Sequence, residues 1–142
     1  MKMLANLLMF VFLFGCANTD TIGNTLNVDH CEIIEKTINL PELQQYYHVS
    51  SFPERVPLIV LFNHPTGGCP ELNKFESPVK ISSPDKSNEF KNKPHIKINM
   101  EIVDSDNIKV FFSYIPEGIK GQLKLQKNNS HWAVSESKIV EI

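Results

Sequence analysis

Basic residues are in short supply. The 142-residue chain has 14 Lys and Arg against 16 Asp and Glu, a formal charge of −2. Without a cationic surplus to neutralise phosphates, nucleic acid is not an expected partner. Motifs that carry chemistry are also missing. There is no G-x-S-x-G and no phosphate-binding loop, so the strongest nucleophile and nucleotide signatures are absent. No C-x-x-C or H-x-x-x-H spacing occurs, and His30 and Cys31 are neighbours in sequence. No metal and no cofactor are therefore expected. After residue 16 no run is long and apolar enough to cross a bilayer, which takes about 20 residues.

What is present begins at the first residue. Lys2 precedes an unbroken apolar run, Leu7 to Phe14, followed by Gly15 and Cys16. A charged start, a short apolar core and a small residue at the cut make up a secretory leader. Polar, turn-prone residues follow at once (Asn18, Thr19, Asp20, Thr21, Gly23, Asn24), which argues against a buried apolar helix. Leu13-Phe14-Gly15-Cys16 resembles the lipobox of bacterial lipoproteins, with Phe14 standing where a small residue is usual. That resemblance implies cleavage before Cys16, a thioether-linked lipid on Cys16 and an acylated amine, with several chains making the anchor stable. Ala17 rather than Asp after the cysteine implies the outer membrane, facing the periplasm. Ordinary cleavage after Ala17, giving a secreted soluble protein, stays open.

Loss of Lys2 with the leader leaves 13 cations against 16 anions, a charge of −3. Residues 16–27, polar and rich in Asn, Thr and Gly, read as a lipidated tether, and residues 28–142 as a single domain. Cys31 and Cys69 are then the remaining thiols. Two cysteines in an exported domain favour one disulfide, with two unpaired buried thiols as the alternative.

Periodicity sets the fold class. Asp29 suits an N-cap, after which Cys31, Ile34 and Ile38 share a helix face with Glu32, Glu35 and Lys36 turned outward. A second helix is expected from Pro41 to about His48, with Leu43, Tyr46 and Tyr47 as its apolar side. Pro57 to Phe62 is wholly apolar and fits a strand buried on both faces. Pro78 to Ser82 suits a short edge strand, and Ser82 to Pro94 an exposed connection. Ile96, Ile98, Met100 and Ile102 alternate with polar residues, as do Ile108, Val110, Phe112 and Tyr114, with Phe111 and Ile115 on the opposite face. Leu123 and Leu125, then Trp132 and Val134, continue the pattern. The expectation is α+β: two N-terminal helices packed on a curved antiparallel sheet of about 4–6 strands. Gly121, Leu123, Leu125, Lys127, Trp132 and Val134 give a strand, a turn and a returning strand. In this the end of the chain resembles the closing strands of nuclear transport factor 2-like and cystatin-like folds. That resemblance implies a cone-like sheet over helices and no particular activity.

The best candidate site is the loop after the apolar strand, with Asn63, His64, Thr66, Gly67 and Gly68. His64 suits a general base, and the two glycines suit backbone amides approaching an anion. Against this stands a loop shaped by glycine and proline and tied by Cys69. Tyr46, Tyr47 and Phe52 line either a pocket or the core between helix and sheet. Asp104 and Asp106 are turn residues, too few for a calcium loop. His30, His48, His95 and His131 are scattered singles expected at the surface. These readings point to a non-catalytic, lipid-anchored envelope protein. Its partners would be the membrane, through the anchor, and a protein of the envelope. An immunity or inhibitor lipoprotein, or a small hydrolase or isomerase with a cone-shaped pocket, are the alternatives.

Overall fold

The computed structural model describes residues 27–142. The expected leader 1–15, Cys16 and the tether up to residue 26 lie outside the described residues. In chain order come α1 (His30–Ile38), α2 (Pro41–Gln44), β1 (Ile59–Phe62), β2 (Asn73–Lys74), β3 (Ser77–Pro78), β4 (Lys80–Ser82), β5 (Ile96–Ile102), β6 (Asn107–Tyr114), β7 (Ile119–Asn128) and β8 (His131–Glu141). Short 3-10 turns occupy Pro53–Arg55, Pro84–Phe90 and Ile115–Glu117.

Asp29 starts α1 as expected: its Oδ1 accepts from the amides of Cys31 at 3.0 Å and Glu32 at 3.1 Å. That satisfies two of the donors a helix start leaves bare. The buried face is Ile33, Ile34, Thr37 and Ile38, which keeps Ile34 and Ile38 of the expected face and adds Ile33 and Thr37. Cys31 is only half-buried. The second helix is shorter than expected and stops at Gln44. Tyr46 and Tyr47 donate backward in tighter three-residue turns, to the carbonyls of Leu43 and Gln44. His48 then takes a positive φ of 47°, which ends any helix.

Six strands form one sheet in the order β4-β1-β5-β6-β7-β8, and β2 and β3 form a separate hairpin. From β5 to β8 the pairing is antiparallel, with Trp132 across from Lys127 in the last hairpin. The expectation of an all-antiparallel sheet is corrected at β1, which runs parallel to both β4 and β5. Its double burial fits that setting. Leu58, Val60 and Phe62 join the main core, while Ile59 and Leu61 are buried on the other face. There the Pro84–Phe90 turn packs against β1. Covered on both sides, β1 takes interior parallel neighbours whose connections cross over it.

Alternate residues of β5, β6 and β7 fill the main core: Ile96, Ile98, Met100, Val110, Phe112, Tyr114, Leu123 and Leu125. Ile33, Ile34, Ile38 and Leu43 belong to the same core. Each fully buried side chain of this kind contributes about 1.5–3 kcal/mol. Trp132 on β8 is also buried, at 3% exposure.

Candidate functional site

The loop after β1 leaves the carboxyl end of a parallel strand, where ligands commonly bind in open sheets. An open cleft of about 400 Å³ lies there, lined by Phe62, His64, Thr66, Ser82 and Asp85 among others. The candidate residues do come together, and Asn63, His64, Thr66 and Gly68 make bonds within the fold. Asn63 prolongs the β1–β5 ladder. Its amide donates to Ile98, its Nδ2 to the carbonyl of Met100 at 3.2 Å, and its Oδ1 accepts from the Met100 amide at 2.8 Å. His64 Nε2 lies 3.1 Å from the Met100 carbonyl. A carbonyl only accepts, so Nε2 carries the proton in this contact.

Gly67 and Gly68 adopt φ of 64° and 96° with open space around them. Side chains would strain that backbone. The Gly68 amide donates to Thr66 Oγ1 at 3.0 Å, so it is not directed at an anion. The Ser83 hydroxyl donates to the Asp85 carboxylate within the stretch that lines the cleft. A Ser–His–Asp relay would instead need serine bonded to histidine.

His30 is not a scattered surface residue. Its ring centroid stands 5.4 Å from that of His64 and 5.6 Å from that of Phe62, and its Nδ1 is 2.9 Å from the Pro65 carbonyl. The two imidazoles thus tie the start of α1, the loop and β5 together. Sequence spacing hides this pair, because 34 positions separate the residues. No cluster of three or more His, Cys, Asp or Glu suited to a metal occurs among the described residues. Cys31 and Cys69 form the expected disulfide, with Cα atoms 5.6 Å apart, inside the range a bridge requires. It fastens α1 to the far end of the candidate loop.

The aromatic cluster builds core instead of a pocket. Tyr47 is buried, donates to the Ile38 carbonyl at 2.9 Å and packs edge-on against Tyr114. Burial pushes its phenol far above the ordinary tyrosine range. Phe52 is exposed and lies on the Arg55 guanidinium, 4.2 Å away. Arg55 is itself buried, donates to the carbonyls of Tyr46 and Tyr47, and pairs with Glu117 at 2.6 Å. His95 departs from the surface expectation. It is 4% exposed; Nδ1 bonds the Lys93 carbonyl, while Nε2 is buried without a partner, as is Tyr114 OH. His48 and His131 are exposed as expected.

S-x-x-K, a further nucleophile spacing, occurs at Ser77–Lys80, Ser83–Lys86 and Ser135–Lys138. None offers a serine held by its lysine. Ser83 bonds Asp85, Ser135 donates to the Lys124 carbonyl at 3.1 Å, and Ser77 lies in the β2–β3 hairpin.

A second concavity lies between α1 and residues 69–72, beside His131 at the start of β8. A cleft of about 620 Å³ is lined by Asp29, Glu32, Glu35, Lys36, the disulfide, Pro70, Glu71, Leu72 and His131. Glu35 and Lys36 also line a neighbouring cleft of about 400 Å³, with Leu40, Pro41, Glu42, Val134 and Ser137. Glu32, expected to be solvated, is half-buried there, and its Oε1 accepts from the Trp132 amide at 2.9 Å. The 100-residue separation of this bond explains why no local pattern reveals it.

No family model, curated protein or solved structure matches the chain.

Proposed function

We propose that this chain is a lipid-anchored cell-envelope protein whose small α+β domain, helices over a sheet, binds a partner in the periplasm without catalysing a reaction. The observation that carries the reading is the Cys31–Cys69 disulfide. Such bonds persist in oxidising, exported compartments, and Leu13-Phe14-Gly15-Cys16 supplies the route and the anchor. Cleavage there leaves Cys16 acylated, so Cys31 and Cys69 are the thiols left to pair. Outer-membrane retention rests on Ala17 following the cysteine.

The non-catalytic part of the reading is supported by the loop after β1. Asn63 and His64 bond to Met100 of β5, and Thr66 and Gly68 bond each other. The test is genetic and biochemical. In cells fed labelled palmitate, the wild-type chain should take up label and fractionate with membranes. Cys16→Ser should leave unlabelled, uncleaved precursor. A soluble, unlabelled wild-type chain would refute the anchor.

A further inference from the structure

We propose that the groove between α1 and the free edge of β8 receives an extended, lysine- or arginine-bearing segment of the partner protein, added to the sheet as a seventh strand. The proposal deepens the binding function above and rests on it. Three observations converge on this groove.

The first is the edge itself. β8 runs for 11 residues and pairs only with β7, whereas the opposite edge strand, β4, has three residues. Long edges present a row of unpaired donors and acceptors and invite strand addition. Among the described residues one side chain bonds the backbone of β8 on its outer side: Glu32, at the Trp132 amide. Beyond that point the edge is bare.

The second is position. Val134 and Ser137 of β8 form one wall of the groove, and α1 with residues 39–42 forms the other. A strand laid along His131 to Ser137 would span about 20 Å at roughly 3.3 Å per residue. One row of its side chains would point at α1.

The third is charge. Asp29 is engaged as the α1 cap and Glu42 accepts from Ser137 Oγ at 2.8 Å. Glu35 lines this groove and Glu71 the adjoining cleft beside His131, both with carboxylates that bond no described residue, and Lys36 is the one lysine lining either. Basic side chains at alternate positions of the added strand complement Glu35 and Glu71. A strand with acidic side chains there meets like charge. A second copy of β8 suits the groove poorly, because Glu136 and Glu141 would accompany its single lysine, Lys138.

The probe is a ten-residue peptide alternating lysine and threonine, titrated into the full chain in detergent and followed by amide resonances. The expected result is shifts centred on Val134 to Ser137. Affinity should fall about tenfold or more when alternate peptide amides are N-methylated, and again for Glu35→Lys with Glu71→Lys. Both glutamates are exposed, so the fold survives that change. No binding by about 1 mM overturns the proposal. So does binding indifferent to N-methylation, or shifts mapping elsewhere. Concentration-dependent broadening of β8 amides without peptide makes a second copy the occupant and overturns it too. Photo-crosslinkers placed at Ser137 and at Lys97 in living cells separate this proposal from the wider one. An adduct from Ser137 is expected. An adduct from Lys97 alone removes the groove and leaves a binding protein, and none from either position removes both.

Discussion

Removing the disulfide should cost this domain a large share of its stability. The bridge closes a loop with a sequence separation of 38. Loop-closure entropy for that length corresponds to about 4 kcal/mol at 25 °C. Domains of this size have about 5–15 kcal/mol in total, so the loss is severe without being fatal. A chain of this length loses about 4 °C of Tm per kcal/mol, a fall of about 15 °C. Reduced wild type is the cleanest perturbation, because it keeps both sulfur atoms in the packing. Cys31→Ala with Cys69→Ala is the second, and the two should agree. Calorimetry gives the Tm, and guanidinium titration should show a steeper slope, since the unbridged unfolded chain exposes more surface. If oxidised and reduced wild type melt within about 3 °C of one another, the bridge does not constrain the unfolded chain as argued.

Trp132→Ala should destabilise by about 3–5 kcal/mol, read from the denaturation midpoint, because the indole is buried against the core. Gly121→Ala should cost about 1–3 kcal/mol: the Phe112 ring packs directly on this glycine, leaving no room for a methyl group. Asp29→Ala should cost about 1 kcal/mol through the lost α1 cap, measured the same way. Burial raises the phenols of Tyr47 and Tyr114 above their ordinary value near 10. Native chain therefore keeps protons that unfolded chain gives up. Their contribution is complete below about pH 10 and is lost as pH climbs further. Tyrosinate absorbance should show those two groups ionising at higher pH than an exposed tyrosine.

The second half of the sheet was legible because β5, β6 and much of β7 bury one face, so apolar residues recur at every second position. β1 was legible as a doubly buried strand. Its parallel neighbours were not, because a uniform apolar run reveals cover on both faces but not which strands flank it. The length of α2 depended on a positive φ at His48, which composition does not encode. At the loop after β1 the residues were found, and the shaped, disulfide-tied turn was one of the two readings, but the bonds to β5 were hidden. Asn63 substitutes for ladder bonds and Thr66 shapes the turn, roles that need the neighbouring strand to be seen. His30 beside His64, and Glu32 on the Trp132 amide, join residues far apart in sequence. The single cysteine pair was the long-range contact that arithmetic alone could anticipate.

Lipid anchoring is tested most directly by the intact mass of the amino-terminal peptide from membrane-purified protein. The expected peptide begins at Cys16 and carries a diacylglyceryl thioether with an acylated amine. A peptide beginning at Asn18 without added mass, or an uncut Met1 terminus, would contradict it.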